Sequence, residues 1–276
     1  MHRASAATLP DGRLHLHHGP MDIIADAAGP AREDALRRAA ARFDGLLEEL
    51  VIELPMLRTP ATEFPTVDGP VAQRMLNAVT PFAPEFVTPM AAVAGSVADE
   101  IVAAMAGDGV TRAHANNGGD IAFHLTAGEQ ASAALAGPVP ARIDLPFDGP
   151  VRGIATSGWQ GRSHSLGIAD SVTVLAASAA QADAAATMIA NAVDLPDHPG
   201  ILRTPARELF PDSDLGPRPV TVEVLPLTEA EQAMALSRGM AAAERYRASG
   251  LIVAALLVLG GDTRTTGDLF PVAESR

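Results

Sequence analysis

Asp183 and Thr187 stand four residues apart in the run Ala182-Asp183-Ala184-Ala185-Ala186-Thr187, at the start of a segment with a helical pattern. That spacing puts a carboxylate and a hydroxyl on one helix face, and both are oxygen donors suited to a hard cation such as Mg²⁺. The intervening alanines leave that face open. Mg²⁺ keeps several waters and bridges to phosphate, so two side-chain oxygens, a backbone carbonyl and a diphosphate make a sufficient set. The same residues also fit an Ala-rich helix packed closely on a sheet, with Asp183 near its positive end.

Two other stretches carry polar groups in unusual density. Asn116-Asn117-Gly118-Gly119-Asp120 lies between apolar runs, where paired glycines let the backbone approach a phosphate or ribose, or simply make a hairpin tip. Thr156-Ser157-Gly158-Trp159-Gln160-Gly161-Arg162-Ser163-His164-Ser165 concentrates hydroxyls with recognition groups. There Arg162 can hold a phosphate, Trp159 can stack on a ring and His164 can move a proton, or the whole can be an ordinary polar loop. A Ser-His hydrolase reading of this loop is set aside because no G-x-S-x-G elbow is present. His15, His17 and His18 alternate on a strand with no carboxylate completing a ligand spacing, so they read as polar surface, and His114 and His124 read as core or edge residues.

Composition narrows the chemistry further. The chain has 276 residues and a formal charge of −13, which disfavours non-specific nucleic-acid binding. All 20 basic residues are arginine, which excludes Schiff-base, P-loop and general-base lysines. With no cysteine there are no disulfides, thiolate nucleophiles or Cys-held metals. The hydrophobic fraction of 47% with only 4% aromatics predicts a core packed from small side chains. No run is long enough for a membrane span, and Pro10, Asp11, Gly12 and Arg13 interrupt any leader-like apolar stretch, so a cytoplasmic protein is expected. Few aromatics leave an Ala- and Leu-lined homodimer as the form of self-association to expect.

The elements that must position these groups follow from periodicity and punctuation. Arg13 to Asp26 reads as a strand or bent hairpin, and Arg32 to Leu54 as one amphipathic helix, with Leu36, Ala39, Ala40, Phe43, Leu46, Leu47 and Leu50 on its apolar stripe. A Pro- and Thr-rich loop to Pro70 precedes a short helix through Val79, and a second proline-rich connection leads into a helix over Met90 to Met105. Strands are expected within Arg112 to Leu125 on either side of the glycine pair, at Gly153 to Ser157, Ser171 to Ala177 and Val220 to Leu225, and in the apolar run Leu251 to Leu259. Capping boxes at Ser178 with Gln181 and at Thr228 with Glu231 open two later helices. No G-x-G-x-x-G follows a strand, so a Rossmann fold is not favoured.

Taken together and in order, these segments resemble the ApbE superfamily of flavin transferases, which attach the FMN half of FAD to a protein threonine with Mg²⁺. Val87-Thr88-Pro89-Met90-Ala91-Ala92-Val93-Ala94-Gly95 and Asp99 stand where that family has V-D-L-G-x-x-A-K-G and a later Asp. Asn117-Gly118-Gly119-Asp120 is similar to its N-x-G-G-D, Thr156-Ser157-Gly158 to its T-S-G, and Ser171-Val172-Thr173-Val174 with Asp183 and Thr187 to its S-V-T-V and A-D-x-x-x-T. An uncharacterised ApbE-like family shares longer blocks still, and the resemblance covers most of residues 13 to 195. It implies an α+β fold of the ApbE type, related to the T-fold, with antiparallel sheets packed by Ala-rich helices. A single domain over 1–276 is expected, with possible subdomains at about 1–110 and 111–276.

The resemblance also implies a site. Asp183 and Thr187 would supply metal oxygens and Ala91 a backbone carbonyl. Thr88, Met90, Ala94, Asn117, Gly118, Gly119, Asp120, Thr156, Ser157, Gly158 and Trp159 would line a site for FAD or a related nucleotide, with His164, Asp120 and Arg162 as candidate catalytic groups. Thr88 and Ala94 replace an acidic and a charged residue of the transferases, and Ser163-His164-Ser165-Leu166-Gly167 replaces their H-I-I-D-P. Phosphoryl transfer draws its rate from positioning and charge, so an Mg²⁺-dependent transferase or diphosphate hydrolase and a non-catalytic flavin or nucleotide carrier both fit.

Overall fold

The computed structural model describes residues 3–135, 141–161 and 163–268, the side chains of Leu135 and Ala141 excepted. The chain forms two compact units. The first comprises Met1–Ala133, Asp144–Ala155 and Ala176–Asp183, and the second Ala134–Ile143, Thr156–Leu175 and Ala184–Arg276.

In the first unit, β1 (Ser5–Thr8), β2 (Leu14–His18), β3 (Met21–Ala28), β4 (Arg112–Asn117) and β5 (Asp120–Leu125) pair antiparallel in chain order. Strict alternation explains which face is covered: Leu14, Leu16, Ile23, Ala25, Ala27, Ala113 and Ala115 are buried, and the residues between them are more exposed. Onto the buried face pack α1 (Arg32–Phe43) and, after α2 (Leu46–Ile52), α3 (Leu54–Leu57) and α4 (Pro70–Val79), the helix α5 (Val93–Met105). The single helix expected over Arg32 to Leu54 is broken, because Gly45 sits at φ 82°, which a right-handed helix does not accommodate. The helix expected from Met90 opens instead with a 3₁₀ turn at Pro89–Ala92.

Beyond β5 lie β6 (Gln130–Leu135) and β7 (Ala141–Pro146), a two-stranded sheet, and β8 (Gly153–Ser157), whose first residues pair with β5 at Ala122 and Ile121. The first residues of α6 (Ala179–Ala192) complete this unit.

In the second unit, β9 (Ser171–Ala176) and β12 (Ala254–Leu259) pair antiparallel, and β12 turns into β13 (Asp262–Thr266). β10 (Ile201–Pro205), followed by α7 (Ala206–Leu209), pairs with β11 (Pro219–Val224). The long α8 (Glu229–Ala248) opens with a complete capping box in which Thr228 and Glu231 satisfy each other's backbone. Close helix packing here depends on Gly239, where a Cβ would come 2.3 Å from Val193 Cγ2. The fold is thus α+β with antiparallel pairing in each unit, and alanines at 182, 184, 185 and 186 are fully buried on α6, as the small-residue composition predicts. Among the described residues no helix is long and apolar enough to cross a membrane.

Candidate functional site

The start of α5 is where the first unit brings sequence-distant polar groups together. Ala92, at its N-cap, offers no side-chain acceptor, and the 3₁₀ turn before the helix serves only the Val93 N–H, through the Met90 carbonyl. Asp183 supplies one from 88 residues away: its Oδ2 accepts the Gly95 N–H at 2.9 Å. From the end of β4, the Asn117 amide donates to the Ala94 carbonyl at 3.1 Å. Asn117 is buried, and it stands opposite Asp120 across the β4–β5 turn. Gly118 and Gly119 form that turn at φ 68° and 117°, the left-handed pair a two-residue hairpin requires, and the Asn116 side chain accepts the Gly119 N–H at 2.8 Å.

Electrostatics single out Asp183. Burial, and after it the charge of Asp120, push its carboxyl well above the usual carboxylate range, against the pull of the Gly95 and Ala94 amides. Asp99 adds to the upward push. Asp99 is itself raised by burial, although its two oxygens accept the Ala180 and Ala179 N–H groups at 2.9 and 3.0 Å. Two further acidic side chains, Asp120 on β5 and Asp99 on α5, therefore act on Asp183, and the strongest influences on it include no cationic side chain, whereas Arg74 pulls Asp99 downward. An excess of carboxylate of this kind is a setting in which a divalent cation lowers the energy. No cluster of three or more His, Cys, Asp or Glu side chains has metal-holding geometry among the described residues, so a cation at Asp183 would draw on oxygens of other kinds. Thr187 follows Asp183 by one turn of α6, and Ala91 lies in the 3₁₀ turn before α5.

The remaining residues of the first unit frame this corner. Thr88 is buried, and its carbonyl receives the Ala91 N–H at 3.1 Å, which closes the 3₁₀ turn. Met90 packs against the apolar core. On α5 itself, Glu100 bridges Arg42 at 2.6 Å and Arg74 at 2.9 Å, and those arginines hold its carboxyl below the usual range against the effect of burial.

The other candidates belong to the second unit. Thr156 and Thr173 share a hydroxyl hydrogen bond at 2.9 Å. Gly158 is pressed against β9's lead-in, where a Cβ would lie 2.3 Å from the Asp170 carbonyl oxygen, so the glycine of Thr156-Ser157-Gly158 answers a packing demand. Trp159 donates its backbone N–H to the Ala169 carbonyl at 3.0 Å, and its partly buried indole reaches Asp170 at 3.4 Å. The His164 ring lies 5.1 Å from the exposed Phe210 ring. Arg162 lies outside the described residues. Elsewhere, His15 pairs with Asp22 at 2.6 Å, and His114 is lowered by burial.

Sequence reasoning gave no role to Asp99 or Gly95. The one signal they carried was their place in the resemblance, Gly95 at the end of the Val87–Gly95 block and Asp99 after it, which gave no partner for either.

A UPF0280 protein of Methanothermobacter thermautotrophicus (strain Delta H) is 42% identical over 136 residues, 47% of this chain and 51% of that protein. A UPF0280 protein of Methanoregula boonei is 34% identical over 182 residues, 64% of this chain and 74% of its own length. The chain thus spans about half the length of the first of these curated relatives. The crystal structure of the apo flavinyl transferase ApbE of Pseudomonas stutzeri aligns over 96% of this chain and 95% of that one, at 14% identity and a TM-score of 0.42. The family model described as "AbpE bacteria" matches residues 6–265, and the chain belongs to that family.

Proposed function

We propose that this protein binds FAD or a related nucleotide diphosphate together with Mg²⁺, and transfers or hydrolyses the diphosphate. The observation that carries the reading is the Asp183 carboxylate, which burial and Asp120 drive toward protonation at a point where a divalent cation would remove the penalty. Asp183, Thr187 and the Ala91 carbonyl would hold the cation, an all-oxygen set of the type Mg²⁺ accepts. When bound, Mg²⁺ supplies charge neutralisation and polarisation of the diphosphate. The chain's own groups do the rest of the work in this reading. Thr88, Met90, Ala94 and the Asn117–Asp120 turn bind nucleotide; Thr156, Ser157, Gly158 and Trp159 orient it; Asp120 or His164 moves the proton; and Arg162 offsets phosphate charge.

A second reading, a non-catalytic flavin or nucleotide carrier, is favoured by Thr88 and Ala94, which stand where the resembling transferases have an acidic and a charged residue. Incubation with FAD and Mg²⁺ followed by analysis for AMP and FMN separates the two. Cleavage that requires Mg²⁺ and disappears in a folded Asp183→Ala variant is the expected result. Binding without cleavage selects the carrier, and undiminished turnover by Asp183→Ala removes the metal site as assigned.

A further inference from the structure

We infer that Asp99 is a positioning residue for the Asp183 site, and that the two carboxylates form a reciprocal clasp in which each side chain closes the N-terminus of the helix carrying the other. Its magnesium consequence rests on the function proposed above; the clasp itself does not.

Neither bond set is explained by local capping. α6 already has its own acceptor, since Ser178 Oγ takes the Gln181 N–H at 3.2 Å. Asp99, on α5, adds the Ala179 and Ala180 amides from 80 and 81 residues away. In the other direction Asp183, on α6, takes the Gly95 amide that α5's own N-cap leaves unserved. Keeping two carboxylates out of water costs free energy that a Ser, Thr or Asn cap would not incur, and both are pushed upward by burial. What the costlier arrangement gains is position.

The first turn of α6 is also held on its flanks by bare backbone. A Cβ on Gly95 would come within 2.2 Å of the Ala179 carbonyl oxygen, and one on Gly153 within 2.1 Å of the Ala179 nitrogen. Between these two glycines the turn has little lateral freedom, and the Asp99 oxygens set its remaining coordinate. Asp183 stands one helical turn after Ala179, so a shift of the Ala179 and Ala180 amides is transmitted to its carboxylate along a rigid element. That carboxylate in turn fixes the segment Ala94–Gly95.

Two readouts on the full chain test this. Amide hydrogen exchange followed by NMR is expected to speed up in Asp99→Ala at Ala179 and Ala180, and also at Ala94 and Gly95, whose amides bond Asp183 rather than Asp99. Titration calorimetry with Mg²⁺ alone is expected to show affinity weakened roughly 10- to 100-fold, the range for an outer-shell partner of a metal ligand. Asp99→Asn, which keeps one acceptor oxygen, recovers part of both effects, and carries the test by itself if Asp99→Ala does not fold. Faster exchange confined to Ala179 and Ala180 would reduce Asp99 to a local cap and overturn the inference. So would unchanged Mg²⁺ affinity in a variant whose Ala94 and Gly95 exchange has risen. A wild-type protein that binds no Mg²⁺ defeats the proposed function instead, and the exchange arm still decides the clasp.

Discussion

Replacing Gly95 by alanine tests the helix contact on which the candidate site depends. In an ordinary helix interior this substitution stabilises by about 1 kcal/mol, because alanine loses less backbone entropy on folding. Here the new methyl would sit 2.2 Å from the Ala179 carbonyl oxygen, 2.5 Å from its carbon and 2.9 Å from the Ala180 nitrogen. All three are backbone atoms, so no side chain can swing aside, and the starts of α5 and α6 must part by roughly 1 Å. The Asp99 bonds to Ala179 and Ala180, now 3.0 and 2.9 Å, then stretch beyond hydrogen-bonding range. Overpacking costs about 1–3 kcal/mol, and losing hydrogen bonds to a charged group costs about 1.5–3 kcal/mol each. Set against the helix gain, the net expectation is a loss of about 3 kcal/mol or more, which corresponds to a midpoint lower by roughly 6–12 °C in a chain of this size. Urea titration and thermal melting followed by circular dichroism measure it. A Gly95→Ala protein as stable as the wild type, or more so, would refute the reasoning.

Two further expectations follow from other parts of the structure. Glu231 is lowered from 4.5 to about 2, chiefly by the Thr228 backbone N–H and then by His198 and the Thr228 hydroxyl. A carboxyl depressed on folding contributes stability that is complete above its unfolded value and is lost as pH falls toward the folded one. The acid limb between pH 4.5 and about 2 should therefore be shallower in Glu231→Gln than in wild type when unfolding is titrated with urea at a series of pH values. Phe43, 1% exposed at the end of α1, fills the core of the first unit. Phe43→Ala is expected to cost about 3–5 kcal/mol in the same urea assay, and a loss below about 1 kcal/mol would mean that the cluster collapses around the vacated space.

Much of the architecture was legible in the chain because it rests on local rules. The β4–β5 hairpin follows from a Gly-Gly pair between alternating strands, α8 begins where Thr228 and Glu231 make a capping box, and the buried strand in Leu251 to Leu259 appears as Ala254–Leu259. Edge strands were not legible: β1 is exposed throughout and β13 mostly polar, so neither carries an alternating pattern, and pairing with β2 and β12 makes them strands. The 3.6-residue stripe also ran through Gly45 without revealing that its left-handed φ ends α1.

Residue types and spacing drew attention to Asp183 with Thr187 and, separately, to the Asn117–Asp120 turn, because an interval of four shares a helix face and a glycine pair permits a tight turn. It was the family resemblance that joined them into one expected site. Only the tertiary structure joined Asp99 to Ala179 and Ala180, and Asp183 to Gly95. A helix end leaves its first amides without partners, and nothing within that helix says which distant carboxylate will meet them. The choice is made when Gly95 lets the backbone of α5 touch the start of α6, and the acidic side chains carried there become the nearest acceptors.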